Sequence, residues 1–212
     1  MKKLLLFALA FLLSLPGVAY CADIYGTAVY GSASYHYDSY VATTLGANNT
    51  NTYCFYQKEA KLVIPETATG CTVNNNTIYG MLEVSETVTI ENCFVYLVEL
   101  AGVGAAETVT FNNCAFVQSE AEIDAELGAG GATSYTDCLF SQNVSDLFRD
   151  FANNDYHPTM GSALKNAGKD TGAGTDLDGH TTPSGSAHDI GCYELVGRGK
   201  GQGRMGMGLQ LH

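Results

Sequence analysis

Four cysteines recur at nearly even spacing, and thiols are the most reactive side chains in this 212-residue chain. Cys71, Cys93, Cys114 and Cys138 are separated by 22, 21 and 24 positions. Two chemistries are open to such a row. Cysteines brought together at neighbouring-strand spacing can form disulfides. They can also serve as small buried hydrophobes with free thiols, and the second reading is favoured because other small apolar residues would fit the same position. Zinc is the poorest reading, since there is no Cys-x-x-Cys pair and no neighbouring histidine. The carboxylates give a fainter signal. Asp170, Asp176 and Asp178, among Gly172, Gly174 and Gly179, are reminiscent of a calcium loop. The full Asp-x-Asp-x-Asp-Gly run and its later glutamate are missing, so turns are expected there. His180 and His188 lie close to Asp178 and Asp189, which allows a His–Asp pair or a bound metal, with surface histidines as the default. No Gly-x-Ser-x-Gly elbow is present, and Gly172-Ala173-Gly174 does not open a helix after a strand. No catalytic, cofactor-binding or metal-ligating residue is assigned, and no cofactor is expected.

The elements that would position the cysteines are repeats. Thr87-Val88-Thr89-Ile90-Glu91-Asn92-Cys93-Phe94-Val95 aligns with Thr108-Val109-Thr110-Phe111-Asn112-Asn113-Cys114-Ala115-Phe116 and with Ala132-Thr133-Ser134-Tyr135-Thr136-Asp137-Cys138-Leu139-Phe140. Each begins with period-2 alternation, a strand with one apolar face. Asn92, Asn113 and Asp137 follow, residue types that tolerate the left-handed backbone of a sharp bend. Equivalent positions then stack into columns: Ile90, Phe111, Tyr135; Cys93, Cys114, Cys138; Val95, Phe116, Phe140. Cys71 fits the period but matches the pattern less well. The intervening segments read as loops. Leucine is scarce and no helix follows the strand, which argues against a leucine-rich repeat. The expected fold is all-β, a right-handed parallel β-helix of five or six turns with a loop-rich C-terminal cap. The competing fold is a β-sandwich with accidental spacing.

The ends differ in character. Lys2 and Lys3, an apolar run over 4–15 and a small-residue region before Ala22 make residues 1–21 a signal peptide, cleaved after Ala19 or Cys21. The run is too short for a comfortable membrane span. Tyr20 before Cys21 makes a lipoprotein the weaker anchor reading. Residues 22–60 hold a Tyr-rich stretch expected to cap the first turns, with a sugar-stacking surface as its functional alternative. Residues 61–150 carry the β-helix repeats, 151–195 a closing motif, and 196–212 a Gly-rich tail with Arg198, Lys200 and Arg204. The formal net charge of −12 argues against a nucleic-acid partner.

The closing motif is distinctive as written: Asp155-Tyr156-His157-Pro158, then Gly161-Ser162-Ala163-Leu164-Lys165-Asn166-Ala167-Gly168, Thr175-Asp176-Leu177-Asp178-Gly179 and Asp189-Ile190-Gly191-Cys192-Tyr193-Glu194. It resembles the C-terminal end of the bacterial "choice-of-anchor Q" surface proteins with parallel β-helix repeats. Ala163 stands where that family usually has proline, and Pro183 lacks the arginine that often precedes it. The resemblance implies a β-helix that is secreted or displayed on a bacterial surface, and no fixed activity. A lyase would need a base and a cation, yet none of Lys58, Lys61, Arg149, Lys165 and Lys169 falls within the aligned repeat cores. A glycosidase needs two carboxylates on one face, and Glu91 aligns with Asn112 and Thr136. The expected function is therefore a non-enzymatic adhesin-like or glycan-binding module whose partner is a polysaccharide or cell-surface glycan. The alternatives are a polysaccharide lyase or hydrolase, and a structural subunit of an extracellular assembly.

Overall fold

A computed structural model describes residues 42–196 apart from 46, 48, 49, 53, 54, 59, 101, 128, 129, 154 and 173. The leader over 1–21, the Tyr-rich stretch over 24–40 and the tail beyond 196 lie outside the described residues.

The chain winds into a β-solenoid of about four turns. One face is a five-stranded sheet built from β2 (Thr50–Thr52), β5 (Thr72–Asn74), β7 (Val88–Glu91), β9 (Thr108–Asn112) and β11 (Ala132–Thr136). All its pairings are parallel. The second sheet holds β1 (Ala42–Thr44), β4 (Lys61–Ile64), β6 (Thr77–Val84), β8 (Phe94–Glu99) and β10 (Ala115–Phe116), with β3 (Phe55–Tyr56) also beside β6. Strand β6 bends by a register shift between Ile78 and Met81, so one long strand serves two sides of the solenoid. Gly80 sits in that bend because an added Cβ would collide with the Ala60 carbonyl oxygen. These turns are counted over the described residues alone, whereas the five or six expected were for the whole chain.

The corner chemistry follows the sequence. Asn92, Asn113 and Asp137 have φ of 52°, 50° and 52°, and Asn75 extends the row at 53°. Short polar side chains make this left-handed backbone accessible, so one residue type per turn sets the bend. Register places Ile90 beside Phe111 and Phe111 beside Tyr135, as the repeats require. Phe116 is stacked on Phe140 and pairs with Val95. Glu91, Asn112 and Thr136 share an outward column. The interior these columns build is continuous from Leu45 to Ile123.

Two sequence expectations need correction here. Cys71 does not join the cysteine column: it precedes Thr72, which pairs with Thr89, so it lines up with Val88. Asn76 occupies the place beneath Cys93 and donates weakly to its Sγ at 3.9 Å. The turn from Asn75 to Asn92 is only 17 residues long, so equal spacing in sequence did not mean equal position. The segment after β10 is also not all loop. Ser119 caps α1 (Glu120–Ala125) in a capping box with Glu122, and Ile123 plugs into the core.

The remaining chain forms α2 (Val144–Leu147) and an antiparallel hairpin of β12 (Phe148–Asp150) with β13 (Asp155–Pro158), then irregular turns. The sequence reading makes this closing segment a cap on the solenoid. It lies along the solenoid's side instead. Ile190, Cys192, Tyr193, Leu164 and Tyr156 pack on the outward-facing Phe94 and Ala115, forming a second core separate from the interior. The physical reason is that Phe94-Val95 and Ala115-Phe116 are adjacent apolar pairs, so both faces of those strands need cover. The last turn keeps Tyr135, Cys138 and Phe140 only half-buried.

Candidate functional site

Three groupings of chemically capable side chains stand out, and each is positioned by the strand or strap that carries it. The first is the seam between the corner row and the closing segment. Residues 167–171 run down the row, engaging one turn with every second residue. Asn113 Nδ2 donates to the Ala167 carbonyl at 3.1 Å. Asn92 Nδ2 donates to the Lys169 carbonyl at 2.6 Å, and its Oδ1 accepts from the Lys169 N–H at 2.7 Å. Asn75 Nδ2 donates to Thr171 Oγ1 at 2.7 Å. Lys169 Nζ reaches Glu91 at 2.6 Å; this bond and one from Asn112 outweigh burial and hold the Glu91 carboxyl below its usual range. Gly168 is required at the closest approach, since a Cβ there would sit 2.9 Å from the His188 carbonyl oxygen and 3.2 Å from Asn92 Cγ. This row of amides binds the protein's own closing segment, through backbone groups of Ala167 and Lys169 and the Thr171 hydroxyl.

The second grouping holds the acidic and histidine residues singled out in the sequence, and the fold disperses them. Asp176 has a fully buried side chain whose oxygens accept the backbone N–H groups of His180 and Glu194 at 2.7 and 3.0 Å. His180 Nδ1 lies 3.2 Å from the same carboxylate. Asp170 accepts the Gly172 N–H at 2.8 Å, a local turn. His188 is buried, 3.7 Å from Glu194 and 3.5 Å from Asp170, with no hydrogen bond to its Nδ1. Asp189 accepts the Asn166 and Leu195 N–H groups at 2.7 and 2.6 Å. Glu194 accepts those of Asp189 and Ser184 at 3.1 and 3.2 Å. Burial pushes the Asp189 and Glu194 carboxyls above their ordinary range, only partly offset by these bonds. Asp170, Asp176 and Asp178 do not converge. Among the described residues no three His, Cys, Asp or Glu side chains are placed to hold a metal.

Sequence reasoning missed one tight constellation in this region. His157 lies between two carboxylates, its Nδ1 2.5 Å from Asp155 and its Nε2 2.6 Å from Asp178, with its ring 4.3 Å from Tyr193. The available signal was the period-2 spacing of Asp155 and His157 on one strand. The 21-residue separation of Asp178 gave none. Burial opposes ionisation of Asp155, but the His157 bonds and charge, with Arg149 at 3.5 Å, pull its carboxyl below the ordinary value. A depressed carboxyl stabilises the fold above its unfolded value, about 3.9, and that stability is lost as pH falls through the folded value. Asp155→Asn should therefore cost roughly 1 kcal/mol near neutral pH. The difference from the parent should vanish in urea unfolding curves once the pH has fallen through the depressed folded value. A pH-independent difference would show that the charge of Asp155 is immaterial.

The third grouping is a groove on the outer face of the second sheet, with a volume of about 210 Å³. Tyr79, Gly80 and Met81 from β6, Tyr96 and Leu97 from β8, and Lys58 and Lys61 beside them line it. Tyr96 and Leu97 are among the few large hydrophobics left exposed, at 37% and 38%. The Tyr79 and Tyr96 rings meet edge-on, centroids 5.0 Å apart, and Tyr79 is backed by Phe151 at 4.7 Å. Lys61 Nζ is 3.0 Å from Glu83. The groove combines rigid aromatic surface with two cationic side chains in a strongly acidic protein. The sequence signal for it, Tyr79 and Tyr96 next to buried apolar positions, was spread over two turns.

No family model, curated protein or solved structure matches the chain.

Proposed function

We propose that this is an exported bacterial surface protein that binds glycans without cleaving them, using the groove of Tyr79, Tyr96, Lys58 and Lys61. The observation that carries the reading is the pairing of an exposed, pre-positioned tyrosine with cationic side chains. Apolar sugar faces pack on aromatic rings, and a ring held by its neighbours loses little entropy on binding. Ammonium groups beside it suit sugars that carry carboxylates or sulfates. Export and surface display rest on the leader and on the closing motif's resemblance to the choice-of-anchor Q proteins. The non-enzymatic reading is supported by the closing segment's carboxylates, since Asp176, Asp189 and Glu194 are engaged by backbone N–H groups.

A panel of uronate-containing, sulfated and neutral polysaccharides tests this reading. Retention of the acidic members without cleavage is expected, with Tyr96→Ala weakening binding about tenfold, near 1.4 kcal/mol. Cleavage would instead establish a lyase or hydrolase. Self-association in light scattering with no retention would favour the assembly-subunit reading, which draws on the half-buried last turn and its edge strand β11.

A further inference from the structure

The three cysteines of the column form a row with one closed and one open end. Cys93 and Cys114 are fully buried, whereas Cys138 is half-buried on the last turn. Each follows a left-handed corner residue, and the strands before them are in register, Glu91 beside Asn112 and Asn112 beside Thr136. Neighbouring parallel strands lie about 4.8 Å apart, within the Cα separation of about 4.4–6.8 Å that a disulfide spans. Each thiol sits between a carbonyl of its own turn, Asn112 for Cys114 at 3.3 Å and Thr136 for Cys138 at 3.5 Å, and one of the preceding turn. Cys138 Sγ lies 3.4 Å from the Phe111 carbonyl oxygen, on the turn of Cys114, and Cys114 Sγ lies 3.4 Å from that of Ile90, on the turn of Cys93. Asn76 closes the row beneath Cys93. All five cysteines among the described residues are free thiols.

We propose that Cys138 is a site of thiol–disulfide exchange and closes a reversible disulfide with Cys114, leaving Cys93 reduced. The oxidant is a small-molecule disulfide. The Cys138 thiolate attacks one of its sulfurs and releases one small thiol, giving a mixed disulfide on Cys138. Cys114 then attacks Cys138 Sγ, and its proton leaves with the second small thiol as that thiol is expelled. Two protein thiols and one disulfide thus become one protein disulfide and two small thiols. Access sets the order, because among the described cysteines only Cys138 is exposed enough to meet the oxidant. The neighbouring Cys114 thiol also draws the Cys138 thiol down to about 7, against burial and the Asp137 carboxylate, while burial pushes Cys114 well above the ordinary thiol value. The bond would tie the half-buried last turn to the turn before it, across the segment that carries α1. The inference is independent of glycan binding.

The test incubates the reduced full-length protein with glutathione disulfide, then maps its peptides by mass spectrometry after cleavage at glutamate, which occurs in every interval between these cysteines. The expected product is a Cys114–Cys138 crosslink with loss of two hydrogens, reversed by reductant. Cys114→Ser should trap glutathione on Cys138, and Cys114→Ala repeats the trap should serine disturb the core. Cys138→Ser should protect Cys114 and Cys93 from modification in the folded protein, and Cys93→Ala should leave closure intact. An unmodified Cys138, a crosslink through Cys93, or a covalent dimer through Cys138 in place of the internal bond would each overturn the proposal.

Discussion

Phe116→Ala should lower the unfolding free energy by about 3–5 kcal/mol, the largest single-residue core effect expected here. Phe116 is fully buried. Its ring meets Phe111 edge-on at 5.1 Å and lies parallel to Phe140 at 5.4 Å, one turn away. Register puts Val95 beside it on the preceding turn. Truncation removes contacts within its own turn and to the turns on both sides, and strands held by ladder hydrogen bonds cannot collapse into the void. Glu122→Ala provides the comparison. In a loop, as the intervening segments read from sequence, this residue would cost little to replace. It instead accepts the Ser119 N–H at 2.7 Å in the capping box of α1, so a small loss is expected, well short of that for Phe116. Urea midpoints measured side by side decide the matter, and equal midpoints for the two variants would mean that the buried face is misassigned.

Asn92→Ala should cost on the order of 4 kcal/mol, because one side chain performs two separate tasks. Its backbone is left-handed, where alanine is disfavoured by about 1–2 kcal/mol. Its amide also joins three partners at 2.6–2.9 Å: Asn75 Oδ1, the Lys169 carbonyl and the Lys169 N–H. Removing it leaves these groups unsatisfied at a buried seam, and each such loss costs about 1–3 kcal/mol before relaxation. Asn92→Gly separates the two tasks. Glycine restores the left-handed backbone but none of the hydrogen bonds, so it should recover only about 1 kcal/mol relative to alanine. Thermal or urea unfolding of both variants reads this directly. Full recovery with glycine would show that the closing segment does not depend on the amide, and proteolysis within residues 167–171 would then be no faster than in the parent.

Much of the seam can be traced in the sequence once its logic is known. The adjacent apolar pairs Phe94-Val95, Ala115-Phe116 and Leu139-Phe140 signal strands covered on both faces, which an end cap could not provide. The alternating strand before each corner signals the opposite, one face inward and one outward. Reading both together would have placed the closing segment on the side of the solenoid. The His157 constellation and the tyrosine–lysine groove offered no comparable cue, since their members come from different turns and are individually ordinary.

Local sequence preferences dictate whatever repeats along one dimension. Period-2 alternation set the strands, Asn or Asp set the left-handed corners, and the spacing of successive repeats set the interior columns of Ile90, Phe111, Tyr135 and of Val95, Phe116, Phe140. These are local preferences that recur, so each repeat reinforces the reading of the next. The tertiary structure decided which partner each closing residue meets. Lys169 bonds to Asn92 across 77 residues, and the Cys192 N–H bonds to Thr77 across 115. It also decided that a 17-residue turn sets Asn76, and not Cys71, beneath Cys93. Turn length is absorbed by loops that carry no period, and contacts between distant segments depend on shape and unsatisfied backbone groups, neither of which has a local signature.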